Sequence, residues 1–165
     1  MQAGGRRVHV PEPRLSTATA TAIHRRVAAL RAGQEPTLIA RLRSGWAVLG
    51  DPQVIAGYCL LLPDPVVPHL NALEPASRAQ FLHDLGLLGD ALLAVTGALR
   101  INYAIFGNQE PALHAHLFPR RADEPPALAT AQPWAWDWQA APRFAPALHA
   151  ALGAALKRAL SERGA

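Results

Sequence analysis

Apolar positions along the chain fall into two periods, one helical and one extended. Between residues 75 and 99, Phe81, Leu85, Leu88, Leu92, Val95 and Leu99 follow one another at spacings of 4, 3, 4, 3 and 4. That interval places side chains on one face of a helix. Gly86 and Gly89 weaken this main helix by about 1 kcal/mol each relative to Ala, and they allow close packing. Upstream, Ile23, Val27 and Leu30 predict a shorter helix, capped by Ser16 or Thr17 and ending near Gly33. Downstream, Phe144, Leu148, Leu152, Leu156 and Leu160 recur every fourth residue and predict a C-terminal amphipathic helix.

The extended segments lie between these helices. Pro36 breaks the first helical pattern, and residues 37–43 alternate as a strand. Residues 46–49 are its hairpin partner, with Ser44 and Gly45 as turn residues. Residues 57–62 form an unbroken apolar run before Pro63, as a central strand does. Residues 101–106 predict another strand and 113–118 its antiparallel partner. The sum is an α+β arrangement: an antiparallel sheet of about five strands with a long helix packed across it. Residues 1–35 read as an arm and short helix, 36–121 as the core, and 122–165 as a Pro/Trp-rich segment and helix on the same domain.

The chemistry concentrates in one stretch, Gly107-Asn108-Gln109-Glu110-Pro111-Ala112-Leu113-His114-Ala115-His116-Leu117-Phe118-Pro119-Arg120. Successive side chains of a strand face opposite ways. His114, His116 and Phe118 therefore share one face, while Leu113, Ala115 and Leu117 share the other and can pack on a core. Two adjacent imidazoles can divide labour around an anion, one attacking and the other donating a hydrogen bond. His-x-His also places two nitrogens where a metal could bind, but a site needs a third ligand. His9, His24, His69, His83 and His149 show no paired spacing with it. His83 takes a solvent-facing helix position.

This stretch resembles the histidine triad (HIT) superfamily of nucleotide hydrolases and transferases. That family's signature is His-φ-His-φ-His-φ-φ, with φ apolar and Pro-Arg often following. The most similar branch, bacterial and like the diadenosine polyphosphate hydrolases, reads Gly-Asn-x-x-Pro-His-Leu-His-Trp-His-φ-φ-Pro-Arg. Aligned on Pro119-Arg120, the second histidine falls on His114, the third on His116 and the first on Ala112. The resemblance spans residues 36–121 and implies the HIT fold, whose element order agrees with the periodicities.

The resemblance also implies roles. His114 is the nucleophile that attacks the α-phosphate of a nucleotide, and His116 donates a hydrogen bond to the same phosphate. The backbone carbonyl of Ala112 orients His114, which does not require a histidine side chain there. Asn108 and Gln109 offer amides to phosphate oxygens, or else serve as turn residues. Asp51 binds ribose hydroxyls, or else makes an Asp-Pro turn with Pro52. Ile39, Leu42 and Trp46 are candidates for a purine pocket or for core. Tyr58 stands where the family often has a histidine near the phosphates, and it can donate one hydrogen bond. Arg120 could restore the positive charge that the missing histidines remove, and His69 is expected to be structural. Trp134, Trp136 and Trp138 either stack on a base or pin the C-terminal segment to the sheet, with pinning the favoured reading.

Composition narrows the class. A chain of 165 residues, half of them hydrophobic, suits one domain with one core. Its net charge of +4 comes from scattered arginines, with Lys157 the single lysine. That argues for an anionic small ligand and against a nucleic-acid footprint. The lone Cys59 fits a reducing compartment. Arg6 and Arg7 precede no apolar stretch of the signal-peptide kind, and Asp84 and Asp90 interrupt the most apolar helix. The expected protein is cytoplasmic, needs no cofactor or metal, and has a nucleotide as its partner, with homodimerisation possible. It is expected to hydrolyse or transfer at the α-phosphate of a dinucleoside polyphosphate or nucleoside phosphoramidate through a nucleotidyl-histidine. The alternative is a catalytically silent nucleotide-binding or interaction protein of the same fold.

Overall fold

A computed structural model describes residues 20–165. Thr21 caps the first helix, α1 (Ala22–Arg31), in a capping box with His24. Ser16 and Thr17 lie outside the described residues. Ile23, Val27 and Leu30 form the buried face of α1, and Gly33 takes the left-handed conformation that ends the turn. A hairpin follows, β1 (Leu38–Arg41) and β2 (Gly45–Leu49), then β3 (Cys59–Pro63). The long helix α2 (Pro75–Thr96) begins with Pro at its first position and stops at Gly97 in the left-handed region. Strands β4 (Arg100–Ala104) and β5 (Ala115–Arg120) and helix α3 (Pro146–Ser161) complete the fold.

The architecture is α+β. One antiparallel sheet of five strands runs in the order β1-β2-β3-β5-β4. Every residue of β3 is buried, because that strand is central and covered on both faces, as its unbroken apolar run requires. Ala47, Leu49, Cys59, Leu61, Ala115 and Leu117 turn toward α2 and α3, where Phe81, Leu85, Leu88, Leu92 and Leu156 complete the main core. Val48, Leu60, Leu62 and Phe118 turn the other way, toward α1 and the Trp-rich segment.

The helical periods hold with three corrections, one being that Phe144 lies before α3 rather than on it. Leu99 lies beyond the end of α2 and is 63% exposed, and Leu148 on α3 is 72% exposed. A spacing of four residues turns the stripe about 40° per step, so the first leucine of α3 rotates out of the face that buries Leu156 and Leu160. Gly89 meets the predicted need for close approach: a Cβ there would lie 2.0 Å from the Tyr103 hydroxyl, whereas Gly86 faces open space. Asp84, on the buried side of α2, accepts hydrogen bonds from the Ser44 amide and hydroxyl and from Gln80. It thereby fastens the β1–β2 turn. No helix among the described residues is long and apolar enough to cross a membrane.

Candidate functional site

His114 ends the loop after β4, one residue before β5 starts, and His116 is the second residue of β5. The strand is therefore shorter at its start than residues 113–118 predict, and it runs on through Pro119 and Arg120. His114 is buried at 8% exposure. Its Nδ1 lies 2.8 Å from the Ala112 carbonyl oxygen. A carbonyl only accepts, so Nδ1 carries the proton and Nε2 is left with a free lone pair in the neutral ring.

His116 is held in the opposite sense. The Tyr58 hydroxyl lies 2.6 Å from His116 Nδ1. Burial raises the phenol's pKa above its ordinary value, so the hydroxyl keeps its proton and donates it to Nδ1. Burial, and then the neighbouring His114, push the His116 pKa down to about 4. The ring is neutral near pH 7, and its remaining proton sits on Nε2. Its plane is set by stacking on Tyr58 and Phe118, at interplanar angles of 10° and 6°. The two imidazoles meet edge to face, 4.8 Å apart.

Tyr58 itself reaches this position because residue 50 is glycine. A Cβ at Gly50 would fall 2.0 Å from the phenol ring. Gln53 closes the same turn by donating to the carbonyls of Gly50 and Tyr58 and accepting from the Gly57 amide.

The cavity in front of the two histidines holds about 500 Å³. Asn108, Gln109 and Glu110 line it from the loop, and Phe106, Trp134 and Trp138 wall it with aromatic surface. Trp134 touches His116 edge to face, with ring centroids 5.8 Å apart, and Trp138 meets Tyr58 in the same way at 5.6 Å. The Trp-rich segment thus both pins itself to the sheet and forms part of the cavity. Glu110 is the acidic member of the lining. One of its oxygens accepts from the Ala22 amide at the start of α1, and the other is buried with no partner among the described residues. Its position beside Asn108 and Gln109 was the one available sequence signal for it.

Other expected site residues lie elsewhere. Asp51 accepts from the Phe144 amide and from Arg143, both at 2.9 Å, and it is not in the cavity lining. Asp51 fastens the entry to α3. Arg120 is 7% exposed. It forms an ion pair with Glu124 and donates to the carbonyls of Leu128, Ala129 and Ala131, so its charge holds the segment after β5 rather than the cavity. Ile39 and Leu42 are buried in the core on the opposite face of the sheet. Trp46 donates to Asp64 and lies under Arg41. His69 precedes a short 3-10 turn at Leu70–Ala72, and His83 is exposed on α2. Among the described residues no cluster of three His, Cys, Asp or Glu side chains could hold a metal ion.

No protein-family model matches the chain, and no curated protein matches it. Solved structures do. A histidine triad protein from Marinobacter aquaeolei superposes with a TM-score of 0.67 at 21% identity, covering 87% of this chain and 98% of that one. A histidine triad (HIT) protein from Sinorhizobium meliloti gives a TM-score of 0.62 at 23% identity, covering 73% and 87%. A hypothetical histidine triad nucleotide-binding protein from Sulfolobus tokodaii gives 0.65 at 13% identity, covering 82% and 91%. The chain has the fold of the histidine triad proteins.

Proposed function

We propose that this protein is a histidine triad enzyme that hydrolyses or transfers nucleotides through a covalent intermediate on His114. The observation that carries the reading is the pair of opposed hydrogen bonds behind the two rings. The Ala112 carbonyl accepts a hydrogen bond from His114 Nδ1–H and leaves Nε2 as a nucleophile. Tyr58 donates to Nδ1 of His116 and leaves Nε2–H as a donor. Attacker and anion-stabilising donor thus sit side by side in one cavity, each with its tautomer set by its hydrogen-bond partner.

In the first step the His114 Nε2 lone pair forms a bond to the α-phosphorus while the bond to the leaving group breaks. The developing charge on the phosphoryl oxygens is met by His116 Nε2–H and by the Asn108 and Gln109 amides. In the second step water attacks phosphorus and the N–P bond breaks, returning the neutral imidazole. The leaving group takes any proton it needs from solvent as it departs in the first step, and in the second step water gives its hydroxyl to the nucleotide and releases its other proton to solvent. Ala112 takes the place of the family's first histidine, and its role needs only the backbone. The substrate class is a nucleotide substituted on its α-phosphate, either a dinucleoside polyphosphate or a nucleoside phosphoramidate.

A silent nucleotide-binding protein is the second reading. It is favoured by Asp51 and Arg120, both of which are spent on contacts within the chain. Incubation with diadenosine polyphosphates and an adenosine phosphoramidate, with and without chelator and beside His114→Ala, separates the two. Turnover that survives EDTA and falls by at least about a thousandfold in the variant is the expected result. Equal turnover in the variant rejects the covalent route, and binding without turnover selects the silent module.

A further inference from the structure

The cavity of the histidine pair is short of positive charge. Among the described residues no Arg or Lys lines it. His116 is neutral near pH 7, and the Arg120 guanidinium is engaged by Glu124 and by backbone carbonyls beyond β5. The acidic group of the lining is the Glu110 carboxylate. A leaving group departs from the phosphorus that His114 attacks, so it shares this cavity with Glu110. One that carries further phosphates meets hydrogen-bond donors there but no balancing cation. It also meets a like charge, whose repulsion is stronger beside aromatic walls than in water because the local dielectric is lower.

Two features of the lining suit a cation instead. The first is that Glu110 is fixed but only half satisfied. Its Oε2 accepts from the Ala22 amide at 3.0 Å, while its Oε1 is buried with no donor among the described residues. A buried acceptor without a donor is destabilising until one arrives. An ammonium group brings donors and the opposite charge together. The second feature is the aromatic wall. Phe106 and Trp134 are each 48% exposed, and both line the cavity beside Trp138. Trp134 is held in place edge to face by Phe106 at 5.1 Å and by Trp138 at 6.0 Å. The face of an aromatic ring is negative and attracts ammonium groups, that of Trp most strongly. A carboxylate and aromatic faces in one cavity reinforce each other for a cation and act together against an anion.

We propose that Glu110 determines the leaving group: the site takes a nucleoside phosphoramidate whose amine bears a positive charge, held between the Glu110 carboxylate and the aromatic wall. The assignment rests on the nucleotide reading of the histidine pair and chooses between its two substrate classes by the charge of the lining. His114 Nε2 bonds to phosphorus, the P–N bond breaks, and the amine takes its proton from solvent as it departs. A dinucleoside polyphosphate would instead release a polyanion beside Glu110. The test compares kcat/KM of the full chain for AMP joined through its phosphate to one nitrogen of 1,3-diaminopropane, for AMP joined likewise to propylamine, and for diadenosine tetraphosphate. The diaminopropane derivative should exceed the propylamine derivative at least about tenfold, with diadenosine tetraphosphate slowest. In Glu110→Gln the ratio of the two phosphoramidates should fall below about threefold. Both rates come from one preparation, so any loss of folded protein cancels in their ratio. Equal rates for the two phosphoramidates in the unmodified chain, or faster turnover of diadenosine tetraphosphate, overturn the assignment while leaving the nucleotide reading in place. So does a preference that persists undiminished in Glu110→Gln. Loss of every activity in that variant overturns it as well, since Glu110 would then be a structural tie to α1. Failure of the unmodified chain to turn over any of the substrates overturns both readings.

Discussion

His116 couples the site to acid stability. Its pKa is pushed down to about 4 in the folded protein by burial and by His114, against about 6.5 for an unperturbed histidine. Between those values the unfolded chain binds a proton that the folded chain does not. Stability from this source is therefore complete above about pH 6.5 and is lost as pH falls toward about 4. One proton sets a slope of up to about 1.4 kcal/mol per pH unit, reduced by the ring's partial access to water. Urea unfolding at pH 6.5 and 4.5 should show a smaller loss for His116→Gln than for the unmodified chain. Equal losses would show that the folded protein tolerates a charged His116. The residue-scale chemistry was legible in part. His-x-His, its polar loop and Pro-Arg were visible as spacing, but the two opposed hydrogen bonds were not. Tyr58 lies 58 residues from His116 in sequence, and only strand pairing brings them together.

At the scale of elements, glycines show where backbone or ring approach leaves no room for a side chain. Gly50 and Gly89 would both place a Cβ 2.0 Å from a tyrosine, but the tyrosines differ. Tyr58 is 3% exposed and fixed by its ring stack and its hydrogen bond, whereas Tyr103 is 49% exposed and meets Gly89 through its terminal hydroxyl. Tyr103 can swing aside and Tyr58 cannot. Gly50→Ala should cost about 1–3 kcal/mol as an overpacked core position does. Gly89→Ala should be closer to neutral, because the helix gains up to about 1 kcal/mol from the better helix former. Thermal unfolding of the two variants side by side checks the contrast, and equal destabilisation would mean that Tyr103 is as fixed as Tyr58. The elements themselves were readable because their periods differ, 3.6 for α2 and 2 for the strands. Their ends were less so. Leu99 and Leu148 fit the spacing yet lie outside the packed faces, since period alone does not say where a partner surface stops.

Across the whole molecule, the segment after β5 is the part that tertiary contacts define. Its Pro- and Ala-rich sequence has no period, so no element could be read from it. Arg120 anchors it through Glu124 and three backbone carbonyls, with side chains only 8% and 5% exposed. The chain then presents Trp134 and Trp138 to the cavity and returns to Asp51 through Arg143 and Phe144. Truncating Arg120 removes the charged partner of the buried Glu124 carboxylate, which keeps the Arg121 amide, and takes a side-chain donor from three backbone carbonyls. Arg120→Ala should cost about 3–5 kcal/mol, measured as a lower urea midpoint, and should loosen the Trp134 wall, measured as increased quenching of tryptophan fluorescence by acrylamide. A loss below about 1 kcal/mol would show that the pair behaves as a solvated surface bridge.

The sequence by itself determined the α+β class, the order of strands and helices, and the placement of His114 and His116 on one face. These follow from periodicity and from a compact motif, both of which are local. The tertiary structure decided what each side chain does, because that depends on partners distant in the chain. It engaged Asp51 and Arg120 in holding the C-terminal segment, buried Ile39 and Leu42 behind the sheet, and brought Glu110, Phe106 and two tryptophans to the cavity. It also gave the two histidines opposite hydrogen-bond partners, a difference that no spacing encodes.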